Sequence, residues 1–193
     1  MLITAERLID TPVMSLQTGG QLARTKTPLI DPRSLMILAY ELDGPSLDTR
    51  PSFLLVSDVR ELSNLGLIVD SSDEFIGLDD VIKIREIYDI GFQIVGKTVR
   101  DTKGARLGKV TGYAVEPGSF MIKQLNVRRP LLKSFTDTEL IIDRTQITEV
   151  NDTEVIIDHD ERQPAPVKSA AKSFTNPFRG VGAQPEAIDR SEN

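Results

Sequence analysis

Cysteine and tryptophan are absent from the 193 residues, and there is one histidine. Without cysteine there can be no disulfide, no thiolate metal site and no cysteine nucleophile. One imidazole is too few for a zinc centre built on several. Aromatic residues make up only 5% of the chain, so few rings are on hand to stack against bases. Basic charge is also short: 23 Lys and Arg face 29 Asp and Glu, a net charge of −6. A chain-wide cationic footprint for nucleic acid is therefore missing. No apolar run approaches the roughly 20 residues that span a bilayer. Residues 1–13 lack the basic-then-apolar order of a secretory leader. A soluble, cytoplasmic protein without metal or cofactor is the expectation.

Charge is distributed unevenly. Residues 1–91 hold 8 Lys and Arg against 15 Asp and Glu, residues 92–160 hold 10 against 10, and residues 161–193 hold 5 against 4. The last stretch has four of the eleven prolines and few large apolar residues. It cannot bury enough surface to offset its ordering entropy, so it reads as a disordered tail.

What is present is a repeat. Asp31-Pro32-Arg33-Ser34-Leu35-Met36-Ile37 returns as Glu116-Pro117-Gly118-Ser119-Phe120-Met121-Ile122, an offset of 85. Gly20-Gln21-Leu22-Ala23 corresponds to Ala105-Arg106-Leu107-Gly108 at the same offset. Asp58-Val59-Arg60-Glu61-Leu62 matches Gln146-Ile147-Thr148-Glu149-Val150, and Leu67-Ile68-Val69-Asp70 matches Val155-Ile156-Ile157-Asp158, both at 88. Four blocks in one order mark a tandem duplication.

Each copy reads as β-rich. Residues 109–115 and 120–127 are strand-like runs around a tight turn, with shorter strands at 139–142, 146–150 and 155–158. Pro117 and Gly118 make a type II turn available in the second copy; Arg33 in place of that glycine favours type I in the first. Gly19, Gly20 and Gly104 read as hairpin-turn residues. Between the copies, residues 77–91 predict a short helix with Asp79 as N-cap, Val81, Ile84 and Tyr88 on one face, and Gly91 past its end; the Ile82-Lys83-Ile84 alternation also permits a strand. The expected order is a first unit over 1–72, an acidic connector and helix over 73–91, a second unit over 92–160 and the tail over 161–193.

Gly96-Lys97-Thr98-Val99, Asp101 with Gly104, and Arg106-Leu107-Gly108-Lys109-Val110 resemble the opening hairpin of the PRC-barrel family, named from the photosynthetic reaction centre H subunit. Glu139-Leu140-Ile141-Ile142 and residues 146–150 are similar to that family's later strands. The first copy is a degenerate version, with Ala23 where the hairpin glycine stands and Thr11-Pro12-Val13 in place of Lys97-Thr98-Val99. The resemblance implies a mainly β chain: two tandem small PRC-like β-barrels, a short connecting helix and a disordered tail. Family members include the reaction-centre subunit, a ribosome-maturation factor and archaeal division adaptors. What they share is non-catalytic contact with a larger assembly. Fold does not fix function, so no member's specific role carries over.

The candidate sites are few. The acidic run from Asp70 through Asp73, Glu74 and Asp79 to Asp80 lacks the calcium-loop order and reads as a solvated connector rather than a metal or acid/base centre. His159 lies among carboxylates with no serine partner, and reads as a surface residue. No nucleophile elbow, phosphate loop or dinucleotide fingerprint occurs, so no catalytic residue is assigned. Arg128, Arg129 and Lys133, with Lys123 nearby, form the most basic segment, which reads as a solvated loop or as a patch for phosphate or an acidic protein surface; RNA is the less favoured partner because only Phe135 offers a ring. In the tail, Phe174, Asn176, Pro177 and Phe178 form a turn-prone aromatic pair suited to docking on a partner or on the protein itself. The expected function is a non-enzymatic adaptor for a protein partner, and the alternative is a ribosome- or RNA-associated assembly factor.

Overall fold

The sheet and its repeat

In the computed structural model, residues 1–45, 47–129 and 139–158 are described. They fall within one compact unit, Met1–His159. The expected sites at Lys133, Phe135, His159, Phe174, Asn176, Pro177 and Phe178, and the expected tail as a whole, lie outside these residues.

The first half contains β1 (Ile3–Thr4), β2 (Pro12–Ser15), β3 (Gln21–Asp31), β4 (Met36–Asp43), β5 (Ser52–Leu55), β6 (Glu61–Ser63), β7 (Gly66–Val69) and β8 (Phe75–Gly77). One helix, α1 (Ile82–Ile90), follows. The second half contains β9 (Thr98–Asp101), β10 (Arg106–Glu116), β11 (Met121–Arg128), β12 (Glu139–Asp143), β13 (Ile147–Val150) and β14 (Glu154–Ile157). The protein is mainly β.

The duplication is repeated in the ladders. β2 lies parallel to β7 and antiparallel to β3, and β9 lies parallel to β14 and antiparallel to β10. The long hairpins β3–β4 and β10–β11 break register at corresponding points, Leu29/Ile30 and Ala114/Val115. On β4, Tyr40 faces Leu54 of β5; on β11, Leu125 faces Ile142 of β12. Those partners keep the offsets 85 and 88 read from the sequence.

The halves do not stand apart. Met36 of β4 pairs antiparallel with Met121 of β11, its own repeat equivalent, so the strands run on into one 14-stranded mixed sheet. The Ile37 N–H donates to the Phe120 carbonyl at 3.0 Å, and the Ile122 N–H donates to the Leu35 carbonyl at 2.9 Å. Two separate closed barrels were expected; instead the sheet is continuous and not closed into a barrel. The reason is local: both hairpins reach beyond their own halves and satisfy each other's edge.

One apolar cluster spans both halves. Val13, Ile37, Leu67 and Val69 of the first half and Val99, Ile122, Val127 and Val155 of the second are fully buried in one cluster. The Tyr40 and Phe120 rings meet edge-to-face across the halves, 6.4 Å apart. The N-terminal segment also crosses over, since β1 pairs with β10 through Ile3 and Val115. On the opposite face of β3–β4–β5, Leu29, Ala39 and Phe53 pack against Ile84 and Ile87 of α1.

Three local corrections follow. Gly118 does not take positive φ; in both hairpins the left-handed residue comes two positions later, at Leu35 and Phe120, each with φ 52°. Each closes an i→i+4 bond of 2.8 Å, to the Asp31 and Glu116 carbonyls. The two turns are therefore alike, and the type I against type II distinction fails. Residues 82–87 are helical, but the N-cap is Val81 without a side-chain bond, so Asp79 caps nothing. The buried face is Ile84 and Ile87, while Tyr88 leans edge-to-face on Phe53 at 5.6 Å. Gly91 ends the helix in the left-handed region as expected, donating to the Ile87 and Tyr88 carbonyls.

Gly108 sits where β10 and the end of β11 close up; a Cβ there would collide with the Arg128 carbonyl and the Val127 side chain. Gly108→Ala should cost about 1–3 kcal/mol, as overpacking does. Gly118, with open space around it, should tolerate Ala within about 0.5 kcal/mol. Urea melts of both variants check the contrast; equal losses would contradict this turn geometry.

Burial pushes the Tyr113 hydroxyl up to about 12, with the nearby Glu6 charge adding to the shift, and raises Tyr40 further. The unfolded chain releases these protons near pH 10, where the folded chain still holds them. Their contribution to stability is thus present below pH 10 and is lost as pH rises toward 12. The urea midpoint should fall across that window, and Tyr113→Phe should flatten the decline.

Candidate functional site

A basic cleft at the end of β11

Arg128 and Arg129 are exposed at the end of β11, and the structure gives them neighbours that the linear sequence hides. Lys109 of β10 faces Arg128 directly across the ladder. With Arg106, these side chains line one cleft of about 320 Å³, together with Gly96, Gly108, Val110 and Thr111. The close approach at Gly108 brings the cations of two strands around one opening. Among the described residues none of the four cations has an ion-pair partner within 4.0 Å. Glu139 stands beside Arg128 in the β12 register as the nearest cross-strand carboxylate.

The first half shows that the fold does not require this arrangement. At the equivalent cross-strand position Arg24 faces Asp43. Arg24 also pairs with Asp10 at 3.4 Å and donates to the Asp10 carbonyl at 2.6 Å. Gly44 takes the place of Arg129 and packs on Ala23, the counterpart of Gly108. The first half therefore opposes unlike charges across this β3–β4 pair, while the second sets Lys109 beside Arg128 there, with Glu139 on the other flank of Arg128. Like charges directly opposed on a sheet are destabilising, and an external anion relieves them.

No family model matches the chain, and no curated protein matches it.

The other candidates are tied up in structure. Arg60 holds Asp70 in a fork, with Nη2 to Oδ2 at 2.6 Å, and its guanidinium keeps the Asp70 carboxyl below the usual carboxylate range. The Asp80 carboxylate accepts the Gly77 N–H at 2.6 Å, and Asp79 pairs with Arg85. Among the described residues no three His, Cys, Asp or Glu side chains gather as a metal site. Lys97 is buried; its ammonium lies 4.7 Å from the Phe92 ring centre and donates to the Asp152 carbonyl. Desolvation pulls its pKa down, and its hydrogen bond and ring contact give it a packing role.

Arg106 and Lys109 are the residues that sequence reasoning missed as site members. Their neighbourhood depends on the β10–β11 register, and only the basic character of each was visible beforehand.

Proposed function

We propose that this protein is a non-enzymatic adaptor, built from two diverged PRC-barrel-like units, that docks on an acidic surface of a larger protein assembly in the cytoplasm. The observation that carries the reading is the Lys109–Arg128 opposition, where the sister half has Arg24–Asp43. Arg106 and Arg129 widen that opposition into a contact for carboxylates, which suits the planar guanidinium fork. In this proposal Lys133 extends the patch, and Phe174, Asn176, Pro177 and Phe178 of the tail supply a second, aromatic contact. Association with RNA is the competing reading, since phosphates suit the same cations. Among the described residues, the cleft lining offers no aromatic side chain for base stacking, which favours protein.

Affinity capture from native lysate, with and without ribonuclease and followed by mass spectrometry, tests the proposal. Protein partners should survive ribonuclease, weaken as salt rises, and fall at least about tenfold with Arg128→Ala/Arg129→Ala, the loss of two charge-assisted contacts. Phe174→Ala/Phe178→Ala should remove at least one partner without moving the melting temperature. Capture that disappears with ribonuclease would establish the RNA reading instead. Partners indifferent to all four substitutions would overturn the docking surface.

A further inference from the structure

A second cationic groove lies between the halves, away from the cleft described above. It runs from the β3–β4 turn to the segment after β12 and has a volume of about 480 Å³. Arg33 comes from the first half, and Lys123 and Arg144 from the second. Leu35, Ile147 and Val150 form an apolar floor, and Glu149 is the one acidic residue in the lining. Arg33 and Arg144 have no ion-pair partner within 4.0 Å among the described residues; Lys123 has Glu116 at 3.6 Å. Arg144 is also partly buried. A partly buried, unpaired guanidinium is an unfavourable arrangement for stability alone.

The internal repeat shows which of these features the fold itself needs. The equivalents of the floor residues Leu35, Ile147 and Val150 are Phe120, Val59 and Leu62, so both halves keep an apolar floor. The equivalents of Arg33, Lys123 and Arg144 are Gly118, Leu38 and Val56, and none carries charge. Arg60, the sister of Thr148, is neutralised by Asp70. The same backbone is thus built twice, once without any of the three cations. Packing does not explain them. The volume is that of a small-ligand site, and three cations above an apolar floor match a compact polyanion with a less polar remainder.

We propose that this inter-half groove binds a phosphate-bearing small molecule, with Arg33, Lys123 and Arg144 meeting the phosphate oxygens. Arginine forks and a lysine point charge are the ordinary means of holding such groups. The site joins residues of both halves across the continuous sheet, so it forms only when the halves are assembled. It is independent of the adaptor reading, which rests on the other cleft.

Calorimetric titration of the full chain with pyrophosphate, inorganic phosphate and a hexaglutamate peptide tests it. Pyrophosphate should bind more tightly than phosphate, and hexaglutamate should bind weakly. Arg33→Gly/Lys123→Leu/Arg144→Val imports the sister half's own residues, so it should fold normally and lose at least about tenfold in pyrophosphate affinity. Arg144→Gln alone should lose about threefold or more, which keeps the test decisive if the triple variant fails to fold. Arg128→Ala/Arg129→Ala should leave pyrophosphate binding within about twofold, which separates this site from the docking cleft. The proposal is overturned by the absence of pyrophosphate binding at about millimolar concentration, by unchanged affinity in the triple variant, or by hexaglutamate binding as tightly as pyrophosphate.

Discussion

Two hydrogen bonds join the two long hairpins: Ile37 N–H to the Phe120 carbonyl, and Ile122 N–H to the Leu35 carbonyl. The donors are repeat equivalents of each other, and so are the acceptors. Pairing a segment antiparallel with its own duplicate imposes local two-fold symmetry, because each copy offers the donor and acceptor that the other lacks. Leu35 and Phe120 take left-handed backbone at φ 52°, a conformation that costs a non-glycine residue about 1–2 kcal/mol. Both side chains are nearly fully buried, at 3% and 5% exposure. Burying a large apolar side chain contributes roughly 1.5–3 kcal/mol, enough to hold that backbone in place. The turn that strains each hairpin is also the turn that seats it in the shared core.

Duplication then supplies a physical control within one molecule. Features present in both halves answer to the fold: the register break, the paired short strands, the left-handed turn residue, and apolar residues at the positions of Leu35, Ile147 and Val150. Features present once are free of that demand. Arg24–Asp43 against Lys109–Arg128 is one such difference, and Gly118, Leu38 and Val56 against Arg33, Lys123 and Arg144 is another. The lead-ins differ as well. Leu8 and Ile94 are matching buried anchors, yet β1 precedes the first and α1 the second. The helix end stands where the second half would otherwise have a counterpart of β1, and its Ile84 and Ile87 cover the outer face of β3–β4–β5 instead.

Much of this architecture was legible because spacing survives duplication even when identity does not. The offsets of 85 and 88 recur in the ladder partners of Tyr40 and Leu125. Gly91 was legible because a helix end that needs left-handed backbone selects glycine. The turn was misread because proline and glycine suggested a local rule, whereas burial of Leu35 and Phe120 decided the conformation. Asp79 looked like a cap by type and place, but Arg85 engages it and the helix starts three residues later. The joining of the halves was not legible at all. Met36 reads as one more strand residue until its partner is known to be Met121. The basic cleft suffered likewise: Arg128 was visible as a charge, while Lys109 became its neighbour only through register.

The charge distribution sets how such a surface can work. With a net charge of −6, all of the excess lying in residues 1–91, the protein repels an acidic partner at long range. At physiological ionic strength charges are screened beyond about 8 Å, so that repulsion fades outside near contact. What remains is the local field at the cleft, where Lys109, Arg106, Arg128 and Arg129 dominate. In the proposed docking, recognition therefore depends on bringing that cleft against the partner. A uniformly basic protein of this size would attract every polyanion it met. An acidic protein with cations gathered at two places favours anions that reach into those places over anions that meet it elsewhere.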